Sequence, residues 1–108
     1  MIDLVHQERD AIADLCRAYG VGSLDVFGSA ATGAFDESSS DVDFIVDFVD
    51  MSPGIANRYL DFAEALERLL GRRVDLVFES SMTNPYLRRT ALASRENIFE
   101  DRSRQAAV

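Results

Sequence analysis

Cysteine and histidine are almost absent from this sequence, which has one of each among 108 residues. Cys16 alone cannot form an internal disulfide, as expected of a protein from a reducing compartment. Because Cys16 falls in the apolar stripe of a predicted helix, we expect a buried structural thiol rather than a nucleophile. His6 has no second histidine or nearby cysteine at metal-ligand spacing, so we expect a surface residue. A disulfide framework and a cysteine–histidine metal site are therefore excluded.

Long hydrophobic runs are also missing. No apolar segment approaches the roughly 20 residues that a membrane-spanning helix needs, and the N-terminal stretch MIDLVHQERD is acidic and amphipathic, unlike a signal peptide. With 47% hydrophobic and 28% charged residues, the composition is typical of a soluble globular protein. We therefore expect no membrane association and a cytoplasmic location.

Basic residues are few, with 11 arginines and lysines against 19 aspartates and glutamates, and the net charge is -8. Long nucleic acid is therefore excluded as the main ligand, because neutralising its phosphates needs a basic surface. A nucleotide bound through a divalent cation escapes this objection, since the cation bridges carboxylates to phosphates.

The length predicts one domain, residues 1–108, with a flexible tail at about 102–108. One domain of this size has room for a single core but not for separate catalytic and substrate domains. Any large acceptor must therefore come from another molecule.

The most informative stretch, Leu24 to Phe48, has the sequence LDVFGSAATGAFDESSSDVDFIVDF. A short apolar strand ends in Gly28 and Ser29, and such a turn presents backbone N–H groups that can face a phosphate. Asp41 and Asp43 follow on a second strand, where residues two apart point to the same face, roughly 6.5 to 7 Å apart. The stretch predicts a phosphate cradle beside a pair of metal-binding carboxylates.

A third aspartate, Asp75, interrupts the apolar strand predicted at 73–78 and faces the side opposite to its apolar neighbours. If this strand lies beside the second one, Asp75 joins Asp41 and Asp43. Three clustered carboxylates repel one another, and a divalent cation keeps them ionised. Oxygen-only ligands favour Mg²⁺ or Mn²⁺. The alternative is that Asp75 is an exposed strand residue with no part in the site.

Hydrophobic periodicity predicts strands at 24–27, 41–49 and 73–78 and amphipathic helices at 4–19, 53–70 and 85–93. Ser52 and Pro53 are suited to the N-cap and first position of the second helix. Residues 96–100 are compatible with a strand or with a continued helix. The pattern predicts an α/β (α+β) fold, a small mixed sheet with helices packed on one face and the carboxylates on the other.

The helix at 85–93 carries two further expectations. Tyr86 and Leu87 should pack inward. Arg88 and Arg89 point about 100° apart on a helix, so at most one of them reaches the site, and a surface or interface position is favoured for both.

These motifs resemble those of the nucleotidyltransferase superfamily that includes DNA polymerase β, whose signature is Gly-Ser, about ten residues, then Asp-x-Asp. The wider pattern, FGSAATG with SDVDFIV, GRRVDLVF and NPYLRR, is similar to the minimal nucleotidyltransferases, many of which are antitoxins paired with HEPN-domain toxins. The resemblance covers roughly residues 20–100. Two departures are a spacer one residue longer, from Ala30 to Ser40, and Thr32 where many relatives carry a basic residue.

The resemblance implies a polymerase β-like nucleotidyltransferase fold and transfer of AMP from ATP to a tyrosine of a HEPN-type toxin. It implies that Asp41, Asp43 and Asp75 are the catalytic and metal-binding residues, with Mg²⁺ or Mn²⁺, and that Gly28 and Ser29 bind the triphosphate.

Two alternatives stay open. The first is a binding module that neutralises a partner by contact alone, for which the longer spacer and Thr32 are the support. The second is a transferase acting on a small molecule such as an aminoglycoside, against which the lack of a second domain counts.

Overall fold

The fold is built around a four-stranded mixed sheet. A computed structural model of the chain describes residues 2–28, 31, 41–49 and 53–101, without the side chains of Ser80 and Leu87. In chain order its elements are α1 (Asp3–Gln7), α2 (Arg9–Ala18), β1 (Val21–Phe27), β2 (Val42–Phe48), α3 (Ile55–Leu70), β3 (Val74–Phe78), a 3₁₀ turn (Glu79–Ser81), α4 (Pro85–Ser94) and β4 (Glu96–Glu100).

The strand order is β3-β2-β1-β4. β1 pairs antiparallel with both β2 and β4, whereas β2 and β3 are parallel and are joined through the crossover helix α3. The sheet is therefore mixed, and the predicted fold class is confirmed. The structure also resolves the open choice at residues 96–100, which form the edge strand β4.

The core lies on the face of the sheet to which every second residue of β2, all of them apolar, points. Val42, Phe44, Val46 and Phe48 are all at most 2% exposed. Helices α2 and α3 cover this face, and the buried residues that they contribute are Ile12, Cys16, Phe62, Leu66 and Leu70. Burial raises the pKa of the Cys16 thiol to about 12, so Cys16 is the structural residue expected.

The helix predicted at 4–19 is two helices, since the backbone leaves helical geometry at Glu8 (φ -96°, ψ 8°). Val5, Ile12 and Cys16 are nevertheless all fully buried. The apolar stripe continues in phase across the break, which is why periodicity alone did not reveal it. His6 is exposed, as predicted.

Helix α3 begins at Ile55, so the expectation that Pro53 occupies its first position is wrong; Ser52, its predicted N-cap, lies outside the described residues. Gly54 precedes the helix with φ +100°, a left-handed conformation that cannot belong to a right-handed helix. Gly71 ends the helix at the C-cap with φ +66°, as predicted.

Helix α4 corrects one expectation. Tyr86 is 73% exposed rather than packed inward, and among the described side chains of this helix Ala91 is the buried one. The two positions lie roughly 140° apart around a helix, so they cannot share one buried face. Leu87 has no described side chain, and the tail 102–108 lies outside the described residues. Within the described part of the chain, every helix is too short or too polar to cross a membrane.

Tyr59 of α3 contacts β3, the edge strand that carries Asp75. Its hydroxyl donates a hydrogen bond to the carbonyl oxygen of Leu76, and its ring stacks on Phe78 with centroids 5.2 Å apart. Burial, followed by the charge of Asp75, raises the pKa of the Tyr59 hydroxyl. The protonated form, which donates the bond, is therefore favoured.

Replacing Tyr59→Phe removes this hydroxyl and keeps the ring stacking. We expect the free energy of unfolding, measured by urea denaturation, to fall by about 1 kcal/mol, the net worth of one hydrogen bond. Tyr86→Phe is the matched control, because the Tyr86 side chain is exposed; we expect a change within about 0.5 kcal/mol. Equal losses in the two variants would contradict a role for the Tyr59 hydroxyl in holding β3.

Candidate active site

The aspartates predicted on two separate strands meet in one row of the sheet. In the register of the strands, Asp43 of β2 lies opposite Phe27 of β1 on one side and opposite Asp75 of β3 on the other. Residues paired across neighbouring strands point to the same face. This face is opposite to the core face, because Val42 and Phe44, on either side of Asp43, are fully buried.

Asp41 stands one residue before β2 and two before Asp43, so its side chain shares this side of the strand. Arg73, which precedes β3, holds its guanidinium 3.9 Å from the Asp41 carboxylate. The Arg73 side chain is largely exposed and that of Asp41 is partly exposed, so this ion pair contributes little to stability. Asp75 is also exposed.

The three carboxylates influence one another. Partial burial, the negative charge of Asp75 and then that of Asp41 raise the pKa of the Asp43 carboxyl to about 6. The ionised form of the Asp43 carboxyl is therefore disfavoured in the fold, and a cation beside it would relieve that cost.

The donor set fits a hard divalent cation, since all three groups are carboxylates and Mg²⁺ or Mn²⁺ prefers oxygen. Among the described residues, however, no three histidine, cysteine, aspartate or glutamate side chains are close enough to form a ready-made metal site. The three aspartates are thus neighbours on one face rather than an assembled cluster.

Gly28 turns the chain immediately after β1 and makes room for Asp43. Its φ is +68°, and a Cβ placed on it would lie 2.8 Å from Oδ2 of Asp43. Any other residue at this position would strain the backbone, and its Cβ would collide with this oxygen. The N–H of Ala31 donates to the Gly28 carbonyl oxygen at 3.1 Å. Ser29, the other predicted phosphate-binding residue, lies outside the described residues, as does Thr32.

The backbone N–H of Gly28 donates to the hydroxyl oxygen of Ser94 at 3.1 Å, so this amide is already engaged. The Ser94 hydroxyl in turn donates to the carbonyl oxygen of Ala91. Sequence reasoning missed Ser94, because its partner is 66 residues away and a serine at a helix end carries no distinctive signal. The small side chains at the end of α4 are the only hint that this helix approaches the turn.

A second polar group on the same face involves Arg95. Its guanidinium lies 3.6 Å from the Asp25 carboxylate and 3.1 Å from that of Glu79, and Asn97 donates to Asp25 at 2.8 Å. Arg88 donates to the Glu79 carbonyl oxygen at 2.8 Å, while Arg89 is exposed. Arg88 thus links α4 to the turn after β3, and Arg95, just after α4, links that turn to β1, so the observed contact of Arg88 is structural and lies outside the aspartate row.

Gly28→Ala tests whether the glycine is required by Asp43 as well as by the backbone. Gly71→Ala is the matched control, since Gly71 also has positive φ but a Cβ added to it would meet no atom within 4 Å. We expect each variant to lose about 1 to 2 kcal/mol of unfolding free energy from the left-handed backbone. Gly28→Ala should lose at least about 1 kcal/mol more from the added contact. If urea denaturation shows equal losses of unfolding free energy in the two variants, the Asp43 carboxylate moves away from the added Cβ without cost.

The raised pKa of Asp43 predicts a pH dependence. The folded value of about 6 exceeds the ordinary value of 3.8, so the folded chain holds the extra proton between them. Stability from this carboxyl is present at low pH and lost as pH rises through about 6. We expect Asp43→Asn to have a higher Tm than the natural chain at pH 7.5, on the order of 4 to 8 °C per kcal/mol relieved.

That difference should shrink toward pH 4.5, with both proteins melted in EDTA so that no cation binds. A Tm difference that is the same at both pH values would contradict the repulsion among the aspartates.

Comparison with known proteins identifies the family to which this chain is similar. The nucleotidyltransferase domain family matches residues 8–98. The protein adenylyltransferase MntA of Thermococcus cleftensis is 44% identical over 69 residues, covering 64% of this chain and 67% of that protein. A solved structure described as a minimal nucleotidyltransferase has a TM-score of 0.71 at 35% identity, covering 88% of this chain and 95% of its own.

A tri-AMPylated HEPN toxin from Shewanella oneidensis has been solved in complex with its MNT antitoxin, and a chain of that complex has the same fold. Its TM-score is 0.61 at 18% identity, with 94% of this chain and 77% of that chain covered. The resemblance inferred from the Gly-Ser and Asp-x-Asp motifs is confirmed, and the chain belongs to the nucleotidyltransferase domain family.

Proposed function

We propose that this protein is a metal-dependent adenylyltransferase that moves AMP from ATP to a tyrosine hydroxyl of a HEPN-type toxin and thereby acts as its antitoxin. The observation that carries the proposal is the row formed by Asp43 and Asp75 in register, with Asp41 on the same side and the Gly28 turn against Asp43. This arrangement brings together the carboxylates that a phosphoryl-type transfer requires.

The named relatives support the nature of the reaction and its acceptor. MntA of Thermococcus cleftensis is a protein adenylyltransferase, and the Shewanella oneidensis complex contains an AMPylated HEPN toxin beside an MNT antitoxin. The described residues form one sheet with its helices and include no second lobe to hold an acceptor. On the evidence of these relatives, the acceptor proposed here is a protein rather than a small molecule.

Asp41, Asp43 and Asp75 are the residues that would hold Mg²⁺ or Mn²⁺. When bound, the divalent cation polarises the α-phosphate and offsets the charge of the leaving pyrophosphate. The protein positions the three carboxylates on one face, and Gly28 lets Asp43 approach the turn that precedes Ser29. We assign the triphosphate contact to this turn, with N–H and hydroxyl donors from Ser29.

In the reaction the acceptor oxygen forms a bond to the α-phosphorus, and the bond from that phosphorus to the oxygen bridging to the β-phosphate breaks. Pyrophosphate leaves with the bonding electrons. The hydroxyl proton passes to a general base, a role that we assign to Asp75 because it is exposed at the edge of the row. A cation beside Asp43 would favour the ionised form of that carboxyl, whose pKa the fold raises.

The net charge of -8 predicts a property of the partner's docking surface. A basic docking surface on the toxin would be attracted to this acidic protein, with association slowed by salt. The proposed location is the cytoplasm, where ATP is abundant. We expect a neighbouring reading frame to encode this partner, with the Arg-x(4–6)-His motif of a HEPN-type toxin.

One structural observation favours a second candidate, an antitoxin that neutralises by contact alone. The described residues contain no ready-made group of three metal ligands. The departures at Thr32 and in the spacer point the same way. Whether the aspartates are needed for AMP transfer therefore decides between the catalytic and the contact-only antitoxin.

The test is growth rescue of cells that co-express the cognate toxin, with the intact mass of the toxin measured in parallel. The natural chain should restore growth and add about 329 Da per AMP unit to the toxin, from the chemistry of adenylyl transfer. The double variant Asp41→Asn, Asp43→Asn should do neither, because each change removes a metal-binding charge at nearly constant volume.

Asp47→Asn is the matched control, since Asp47 lies on the same strand and the same side as Asp43 but roughly 13 Å further along. It should behave like the natural chain. Full rescue by the double variant with no added mass would reject catalysis and leave the contact-only antitoxin.

A further inference from the structure

Helix α4 carries an exposed stripe on the side that points away from the sheet. Tyr86, Arg89 and Ala93 are exposed, and with about 100° per residue they lie within roughly 60° of one another around the helix. Ala91, which is buried, lies roughly 140° to 160° away from all three. The three side chains therefore form one outward surface, which we call the outer stripe of α4.

The helix that bears this stripe lies next to the aspartate row. On its inner side, Ala91 and Ser94 border the same cavity as Phe27, the residue paired with Asp43. The hydrogen bond from Gly28 to Ser94 holds the end of α4 at the turn that contacts the Asp43 carboxylate. A macromolecule that brings a hydroxyl group to the aspartates therefore comes within reach of α4.

The segment around α4 is basic, in contrast to the chain as a whole. Residues 80–95 contain no aspartate or glutamate and include Arg88, Arg89 and Arg95, whereas the net charge of the chain is -8. Arg88 and Arg95 lie within ion-pair distance of the Glu79 carboxylate. Arg89 instead belongs to the exposed outer stripe. A surface that complements the stripe therefore carries negative charge at this position.

The side chains of the outer stripe are of the types that anchor protein interfaces. A tyrosine ring offers a large contact area with few rotatable bonds, and tyrosine and arginine are over-represented at the energetic centres of interfaces. Tyr86 is the most exposed of the large apolar side chains in the described part of the chain. It stands about one helical turn from Arg89, and the small Ala93 lets a partner approach the helix closely.

We propose that the outer stripe of α4 is a docking surface for the acceptor protein, with Tyr86 and Arg89 as its anchors; the assignment rests on the transfer to a protein acceptor proposed above. The surface of the acceptor has an apolar depression for the Tyr86 ring and a carboxylate within reach of the Arg89 guanidinium. This contact holds the acceptor beside the aspartate row. It therefore sets the affinity for the acceptor rather than the rate of bond formation.

The experiment compares Tyr86→Ala and Arg89→Glu with two matched controls on α3, Leu60→Ala and Arg68→Glu. Leu60 and Arg68 are likewise exposed, but α3 covers the core face, on the other side of the sheet. The probe is the purified HEPN-type toxin encoded by the neighbouring reading frame. It is titrated against each variant of the full chain without nucleotide.

Tyr86→Ala and Arg89→Glu should each weaken toxin binding about tenfold or more, the effect of removing an interface anchor. In the transfer reaction they should raise the KM for the toxin much more than they lower kcat. Their affinity for ATP in Mg²⁺ should equal that of the natural chain, which also shows that the variants are folded. Leu60→Ala and Arg68→Glu should bind the toxin as the natural chain does.

Three outcomes would overturn the docking surface while the natural chain still modifies the toxin, so that the transferase stands. The first is unchanged toxin affinity in both Tyr86→Ala and Arg89→Glu. The second is an equal loss in the α3 controls, which would assign the effect to net charge or to general apolar contact. The third is weaker ATP binding with intact toxin binding, which would assign the stripe to the nucleotide.

The failure of the proposed function gives a different result. In that case the natural chain neither binds nor modifies the toxin, and the docking surface is rejected together with the transferase.

Discussion

The contact between the Asp43 carboxylate and Gly28 is the constraint on which the site depends. Antiparallel pairing places Phe27 opposite Asp43, so the next residue must turn the chain within reach of that carboxylate. Glycine meets both requirements, because it adopts φ +68° and presents no Cβ to Oδ2 of Asp43. Its N–H then holds Ser94 at the end of α4. One residue therefore joins the strand, the carboxylate row and the helix.

The acidic side chains of the carboxylate face differ in their surroundings. Asp25 has its own cationic partner in Arg95 and accepts a hydrogen bond from Asn97. Partial burial, followed by the charges of its neighbours Asp75 and Asp41, instead raises the pKa of Asp43. The fold thus compensates negative charge with arginine where the role is structural. It groups Asp41, Asp43 and Asp75 on one face, with Arg73 near Asp41, where a cation and a triphosphate are proposed to bind.

Helix α4 bounds the site but is attached differently from the core helices. Phe62 and Leu66 anchor α3 through buried apolar contacts, whereas Ala91 is the buried residue of α4 among its described side chains. Polar contacts supply the rest of its attachment, from Ser94 to Gly28 and from Arg88 to the turn at Glu79. Helix α4 is therefore attached by polar contacts of Arg88 and Ser94 and by one small buried side chain rather than by a broad apolar face.

The sequence by itself determined the order of the motifs, the apolar face of β2 and the common side of Asp41 and Asp43, because alternation along a strand is a local property. It did not determine the break at Glu8 or the start of α3, since backbone geometry changed there without disturbing the apolar stripe. The assignment of Ser29 stays a prediction.

Only the tertiary structure decided that β3 lies beside β2, that Asp75 is in register with Asp43 and that Ser94 reaches Gly28. Strand neighbours and register depend on packing between segments far apart in the chain, and no local pattern encodes them.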